Sequence, residues 1–422
     1  MQSSVQILLL AMAVIAFLGV VLEEVIHVNK AKVVLLFGAL SWLVLFIAAP
    51  SEAVREQVHE ALNENITDIA SLWLFLLATM TFVAYLNKKG LIENVIYRIL
   101  PGRITERKLL FLTGGFCFVF SSIADNITAT LVSVALVLSL NLELRKMLRF
   151  ATLVVFAVNS GGVAMITGDV TTLMIFMADK VEITNLLLLS LPALLAVLLL
   201  AALLSIGMGD EVVIERNELH ELRGVDQVIG GLFLVTILAT ILLSLFFAIP
   251  PVLTFLTGLA LMFLIARFFN EDIDNDPILE YIRVIEFETL LFFLGVLLLV
   301  GMLQYIGTLQ NLTALYDVMP TLLANFLMGM LSALIDNVPL TAALLKSGLA
   351  MGIAEWMVLT YSVGVGGSLL VIGSAAGIVA MSKVPGLTFG SYMKYSLYLF
   401  IAFNLGFAGV YLTGLAVADM FG

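Results

Sequence analysis

The sequence predicts an all-α polytopic membrane protein, and three observations support this fold class. First, 62% of the 422 residues are hydrophobic and 12% are charged, with a mean hydropathy of +1.13, which is far outside the range of soluble domains. Second, apolar runs of about 20 residues, enough for a helix to cross a hydrocarbon core of ~30 Å, recur along the chain. Third, basic residues are distributed very unevenly among the polar connections.

Ten apolar runs are predicted to span the membrane, five in each half of the chain. They cover approximately 4–22, 31–49, 67–87, 150–180 and 185–208, then 227–248, 251–269, 287–307, 354–383 and 391–415. The first run lacks the basic start and the small-residue cleavage site of a signal peptide, so we expect it to be retained. With residue 1 outside, all Lys and Arg residues except Arg55, Lys180 and Lys346 fall on the inner side, as the positive-inside rule requires.

Two further apolar stretches, 108–140 and 319–349, each carry a polar patch near the middle, where a membrane helix should be most apolar. The patches read SSIADNITAT (121–130) and SALIDNVPLT (332–341), and they contribute Asp125, Asn126, Thr128, Ser332, Asp336, Asn337 and Thr341. Two half-length helices that meet at a buried polar tip would fit such a stretch. We therefore expect two re-entrant hairpins; the alternative is one tilted spanning helix with a polar kink.

The most polar stretch, 209–226, is predicted to be a cytoplasmic linker between two related halves, 1–208 and 227–422. An offset of 211 residues pairs Asp125 with Asp336, and an offset of 205 pairs two glycine-containing segments, VNSGGVAMITGD and VGVGGSLLVIGS. Because five spans is an odd number, the second half must enter the membrane from the opposite face. The sequence thus predicts inverted repeats, each with about five spanning helices and one hairpin, and a site between them.

The glycine-containing segments are predicted to interrupt their helices. The predicted helix-break residues are Gly161, Gly162, Gly168, Gly366, Gly367 and Gly373. Glycine permits local unwinding, and an unwound stretch offers carbonyl oxygens to ions; close helix packing is the alternative. In the first segment Asn159, Asp169, Thr171 and Thr172 surround the glycines, whereas Ser374 stands opposite Asp169 in the second.

The chemistry of these residues indicates a cation site. Carboxylate, amide, hydroxyl and carbonyl oxygens are ligands for small hard cations, and no Arg or Lys lies within either patch. A carboxylate binds either a metal ion or a proton, which is the minimum needed for cation/proton exchange. The structural alternative is that each tip Asp caps the helix that follows it. We expect Na⁺ to bind at Asp125, Asp169 and Asp336.

Other functional classes lack support in the sequence. No glycine loop with a Lys is present to bind nucleotide, no His pair or Ser/Lys dyad lies in the apolar spans, and Cys117 is the single cysteine. We therefore expect a transporter and not an enzyme, with no cofactor and no nucleic-acid partner.

The motifs SSIADNITATLVSVAL, VNSGGVAMITGDVTTLM and SALIDNVPLTAAL resemble those of the NhaD-type sodium/proton antiporters of the ion transporter superfamily. The similarity extends over most of the chain from about residue 65. It implies two hairpins, two broken helices, and a homodimer with an elevator-like transport domain. The ion ligands that it implies are Asp125, Asn126, Asn159, Asp169, Thr171, Thr172, Ser332, Asp336 and Asn337.

These observations together predict a secondary antiporter that exchanges cytoplasmic Na⁺ or Li⁺ for external protons in a bacterial inner membrane. The alternative is a sodium-coupled dicarboxylate or citrate carrier, or an arsenite carrier, on the same fold. The tip pair Asp125 and Asp336 favours the antiporter, because an anion site lined by carboxylates would repel its own substrate.

Overall fold

The computed structural model describes residues 3–21, 28–99, 101–140, 142–213, 221–269, 281–283, 285 and 287–421. The first half contains α1 (Ser3–Val21), α2 (Lys30–Ala48), α3 (Glu52–Lys88), α4 (Leu91–Ile99), α5 (Glu106–Ile123), α6 (Asn126–Ser139), α7 (Leu144–Gly162), α8 (Val170–Met177) and α9 (Ile183–Leu204). The second half contains α10 (Gly224–Phe247), α11 (Pro251–Phe268), α12 (Phe287–Tyr305), α13 (Asn311–Val318), α14 (Thr321–Ser332), α15 (Asn337–Lys346), α16 (Ile353–Gly366), α17 (Ala375–Lys383), α18 (Phe389–Met393) and α19 (Ser396–Phe421).

The predicted all-α class is confirmed, with one small addition at the linker. Strand β1 (Arg103–Thr105) pairs antiparallel with β2 (Glu211–Val213), so that Arg103 lies opposite Val213. The first residues of the predicted linker are therefore held against the segment that precedes α5, and α10 begins inside the predicted linker at Gly224.

The protein is a multi-pass integral membrane protein. Seven of its described helices are long and apolar enough to cross a membrane: α2, α3, α9, α10, α11, α12 and α19. Large apolar side chains remain exposed on these helices, with Phe246 and Phe247 of α10 at 70% and 71%. Such surfaces are stable in contact with lipid chains and not with water.

Helix boundaries differ from the predicted spans mainly at α3. This helix begins at Glu52, well before the predicted start at residue 67, and Ser51 caps it by accepting a hydrogen bond from the Val54 amide at 3.4 Å. Its first turns are rich in charged residues and extend beyond the apolar part of the helix. Hydropathy detects only the apolar part of such a helix, which explains the error of about four turns.

The stretch 319–349 forms a helical hairpin, because its two helices run in opposite directions. The Asn325 amide donates to the Glu355 carbonyl oxygen at 2.9 Å, and the Ser332 hydroxyl donates to the Val363 carbonyl oxygen at 2.6 Å. Helix α14 therefore runs parallel to α16. Since only residues 347–352 connect α15 to α16, α15 ends close to the level where α14 begins. This geometry excludes a single kinked helix.

The stretch 108–140 forms the equivalent hairpin from α5 and α6. Lys146 at the start of α7 contacts Glu106 at the start of α5, at 2.6 Å, and the Ser121 hydroxyl donates to the Val158 carbonyl oxygen at 2.7 Å. Helix α5 therefore runs parallel to α7, and α6 runs back between them. Lys146 also contacts Asp210 of the linker at 2.6 Å, which places the open end of the first hairpin at the linker end of the molecule.

The second hairpin opens at the other end. Lys346, the last residue of α15, contacts Asp68 of α3 at 3.1 Å. The linker end of α3 is marked by Tyr85, whose hydroxyl donates to Asp226 at 2.6 Å. Because Asp68 and Tyr85 are 17 residues apart in one helix, their levels differ by about 26 Å. The two hairpins thus enter the molecule from opposite ends and bring their tips together.

Candidate functional site

A cavity of about 220 Å³ lies where the two hairpin tips and the two interrupted helices meet. Its wall contains polar groups from both halves of the chain. Of the predicted site residues, those that line it are Asp125, Asn126, Asn159, Gly168, Asp169, Asp336 and Asn337. The structure therefore brings the three predicted carboxylates to one cavity.

Each tip carboxylate caps the helix that follows it. Asp125 Oδ1 accepts hydrogen bonds from the backbone amides of Ile127 and Thr128, both at 3.0 Å, and its Oδ2 accepts from the Thr128 hydroxyl at 2.7 Å. Asp336 Oδ1 accepts from the Val338 amide at 3.2 Å. The capping alternative is therefore correct as geometry. A cap requires only one neutral oxygen acceptor, so it leaves the negative charge of both residues unexplained.

Two side-chain hydrogen bonds cross between the halves in a reciprocal pattern. The Asn337 amide of the second hairpin donates to Asp169 Oδ2 of the first interrupted helix at 3.1 Å. The Asn159 amide of the first interrupted helix donates to the Ser374 hydroxyl of the second at 3.0 Å. Asp169 caps α8 and Ser374 caps α17, so an Asp and a Ser occupy corresponding places with corresponding partners.

Other predicted residues lie behind the cavity wall and make contacts with backbone carbonyls. Thr172 Oγ1 donates to the Gly162 carbonyl at 3.5 Å, and Thr341 Oγ1 donates to the Asn337 carbonyl at 2.8 Å. Ser332, as described above, is turned toward α16. Among the described residues, Asn159 Oδ1 and Thr171 Oγ1 are buried without a hydrogen-bond partner. These two oxygens can still accept a bond or coordinate a cation.

The glycines of the two interrupted helices serve close packing. A Cβ at Gly161 would lie 2.1 Å from the Phe118 carbonyl oxygen, and one at Gly366 would lie 2.2 Å from the Gly329 carbonyl oxygen. None of the six predicted helix-break glycines has a positive φ, and Gly161 and Gly162 belong to the last turn of α7. Helix α7 stops at Gly162 and α8 starts at Val170, so the interruption follows these two residues instead of containing them.

Contacts recur at positions that the sequence offsets pair. Ser121 and Ser332, which are 211 residues apart, donate to the carbonyls of Val158 and Val363, which are 205 residues apart. The same offsets connect the two glycine contacts described above. Equivalent residues therefore make equivalent contacts in the two hairpin-and-interrupted-helix units.

Two charged residues of the cavity were not predicted as part of the site. The Lys30 ammonium, at the start of α2, lies 3.1 Å from Asp336 Oδ2. Glu288, predicted only as an interfacial acidic edge, is exposed at the start of α12 and accepts a hydrogen bond from Asn29 at 2.6 Å. A Lys at the start of an apolar run is ordinary in a membrane protein, so the sequence alone carries no signal for this contact. The neighbouring Glu286 lies outside the described residues.

The carboxylates line one cavity without forming one cluster. Among the described residues, no group of three or more His, Cys, Asp or Glu side chains is close enough to hold a metal ion. A cation bound here in this conformation would therefore complete its coordination with neutral oxygens, such as the free Asn159 Oδ1 and backbone carbonyls. Mixed carboxylate and carbonyl ligation is usual for hard cations.

Comparison with known proteins agrees with this architecture. A family model described as CitMHS, citrate transporter, matches residues 4–364. The Na(+)/H(+) antiporter NhaD of Vibrio cholerae is 31% identical over 411 residues, which cover 90% of this chain and 86% of the relative. NhaD of Alkalimonas amylolytica is 31% identical over 434 residues, covering 95% of this chain and 89% of the relative.

A plant relative extends the comparison. The protein named sodium/proton antiporter 1 of Arabidopsis thaliana is 30% identical over 415 residues, covering 93% of this chain and 70% of the relative. The resemblance seen in the sequence motifs is confirmed along almost the whole chain: the protein belongs to the citrate transporter (CitMHS) family, in which its relatives are NhaD-type antiporters.

Proposed function

We propose that this protein is a secondary antiporter, not an enzyme, that exchanges cytoplasmic Na⁺ or Li⁺ for external protons. The observation that carries the proposal is the cavity between the hairpin tips, lined by Asp125, Asp169 and Asp336 together with amide oxygens. These groups suit a small hard cation. The relatives named as Na⁺/H⁺ antiporters support the same exchange.

The family description leaves citrate transport as the competing function, and the charge of the cavity argues against it. Four acidic residues, Asp125, Asp169, Asp336 and Glu288, line the cavity together with Lys30 as the basic residue among the described lining groups. A tricarboxylate entering this space would meet like charges at short range, which costs several kcal/mol in a partly buried site. A cation is attracted by the same field.

Exchange follows from competition for the carboxylates. A protonated Asp has lost the charge that attracts Na⁺, so the site binds either protons or the metal ion. The proposed ligand set is the one that the resemblance implies, with Thr128 and Thr341 holding the tips and Asp125, Asp169 and Asp336 carrying the charge. Alternating access then requires that the cavity open to one side of the membrane at a time.

The proposed architecture is two inverted repeats, 1–208 and 227–422, joined by the linker 209–226. The opposite entry of the two hairpins and the reciprocal hydrogen bonds between halves support it. The cavity is bordered by the exposed Glu288 at the start of α12, whose neighbourhood is cytoplasmic in the predicted topology. We therefore assign the structure to a cytoplasm-facing state. A homodimer in a bacterial inner membrane, with no cofactor, completes the proposal.

Purified protein in proteoliposomes with an internal pH-sensitive dye tests this function. A pH gradient is imposed, and Na⁺, Li⁺, K⁺ and citrate are added separately to the outside. We expect Na⁺ and Li⁺ to dissipate the gradient at low millimolar concentration, with no response to citrate in the absence of Na⁺ and no uptake of labelled citrate in its presence. Labelled citrate uptake without Na⁺-driven proton movement would overturn the proposal in favour of the carboxylate carrier.

A further inference from the structure

Lys30 and Asp336 form a contact between two parts of the chain that are separated by 306 residues. The Lys30 ammonium lies 3.1 Å from Asp336 Oδ2, and the two side chains are only 19% and 12% exposed. The Phe292 ring of α12 lies below the ammonium, with its centroid 4.6 Å from Nζ. An aromatic face at this distance favours a cation, so two features of the cavity wall hold a positive charge at the same point.

The position of Lys30 is fixed by the packing of α2 against α12. Trp42 of α2 donates its indole N–H to the Leu298 carbonyl at 2.9 Å. A Cβ at Gly38 would lie 2.7 Å from the Gly295 carbonyl oxygen, so the two backbones are in close contact. The ammonium therefore belongs to the wall formed by α2 and α12, whereas Asp336 belongs to the tip of the second hairpin.

The ammonium and a transported cation compete for the same oxygen. Asp336 uses Oδ1 to cap α15 and offers Oδ2 to Lys30, so a cation from solution that binds Oδ2 must displace the lysine. The contact is largely shielded from water, and attraction between charges is stronger there than at a surface. The lysine head group therefore lowers the affinity of Asp336 for any external cation.

We propose that Lys30 is a specificity-determining residue of the transport site: a tethered cation that competes with the transported ion for Asp336. This inference rests on the proposed antiport function. Lys30 weakens Na⁺ binding enough for release and leaves the cavity when the ion enters. It also reduces the net negative charge that would otherwise favour divalent cations.

The test compares Lys30→Met with Lys32→Met. Both variants remove one ammonium from the first turn of α2, but Lys32 is exposed and outside the cavity. Na⁺ binding is measured by Na⁺-dependent thermal stabilisation and by ²²Na⁺ binding at about pH 8.5, where proton competition is weak. We expect the half-saturating Na⁺ concentration of Lys30→Met to fall by about ten-fold, or about 1.4 kcal/mol. Lys32→Met should stay within about two-fold of the wild type.

A conservative variant separates competition from a structural role. Lys30→Arg keeps the positive charge, so its Na⁺ half-saturation should remain close to that of the wild type, while Ca²⁺ should stabilise Lys30→Met and not the wild type or Lys30→Arg. An unchanged or raised half-saturation in Lys30→Met would overturn the inference. If Lys30→Met does not insert, the same comparison is made with Lys30→Gln.

Failure of the inference is distinguishable from failure of the antiport function. Wild-type protein that does not couple Na⁺ to protons refutes the proposed function before any variant is compared. Wild-type protein that does couple them, with equal Na⁺ affinity in the wild type and in Lys30→Met, refutes only the role of Lys30.

Discussion

Substitution of Gly161 by alanine should separate α5 from α7 at the level of the site. The new Cβ would lie 2.1 Å from the Phe118 carbonyl oxygen, whereas real Cβ contacts are essentially never under 3.0 Å. Both atoms belong to rigid helices, so the backbones must move apart by about 1 Å. Overpacking of this kind costs ~1–3 kcal/mol, and the gain from replacing Gly by Ala in a helix returns only about 1 kcal/mol.

The same movement should impair transport, because the Ser121 hydroxyl bonds the Val158 carbonyl one turn from the first tip. Gly115→Ala on α5 is the matched control, since a Cβ there meets nothing within 4 Å. We expect the apparent melting temperature in detergent to fall for Gly161→Ala and to stay equal or rise for Gly115→Ala. The initial rate of Na⁺-driven proton movement should fall only in Gly161→Ala. Equal stability and equal rates in the two variants would refute the argument from close packing.

Three further outcomes follow from the proposed site. The Na⁺ half-saturation of the wild type should rise as pH falls, by up to ~10-fold per pH unit for each proton displaced, and a value that stayed flat between about pH 6.5 and 9 would contradict shared carboxylates. Asp125→Asn should abolish exchange in an inserted protein, because Asn keeps the cap oxygen but loses the charge, while Asp169→Asn should leave weakened exchange with a changed pH profile; coupled transport by Asp125→Asn would exclude it as a carrier. Asn337→Ala should lower thermal stability by ~1–3 kcal/mol, because a buried carboxylate oxygen loses its donor, whereas Asn404→Ala on α19 should have little effect; equal melting temperatures would show that the Asp169 contact is unimportant.

The features that sequence reasoning predicted correctly are those with a strong local signal. A polar patch inside an apolar stretch has few stable arrangements in a membrane, so Asp125 and Asp336 led directly to the two hairpins. The glycine segments likewise located the two interruptions to within a few residues. Their conformation was less predictable, because glycine is equally suited to unwinding and to close approach, and only the position of the Phe118 carbonyl distinguishes these roles at Gly161.

The features that the sequence did not predict depend on long-range contacts. Lys30 meets Asp336 across 306 residues, and nothing near Lys30 in the chain distinguishes it from an interfacial lysine. The charged start of α3 was missed for another reason, since a polar helix that extends beyond a membrane has no hydropathy signal. Ser332 was predicted as an ion ligand, whereas its hydroxyl is already bonded to a backbone carbonyl; a single sequence gives no indication of which way a side chain turns.

The unequal charge of the two halves gains a physical meaning from the reciprocal hydrogen bonds. Asp169 and Ser374 have the same structural duty, because each caps the second part of an interrupted helix and accepts a hydrogen bond from an Asn of the other half. The cap therefore explains why both positions need an oxygen but not why one of them is charged. A charge on one side only gives the cavity a single strongly cation-attracting wall near Asn337, while the Ser374 side keeps a neutral oxygen. Two identical acids would bind a cation more tightly and release it more slowly, so the Asp and Ser pair suits a site that must load and unload in every cycle.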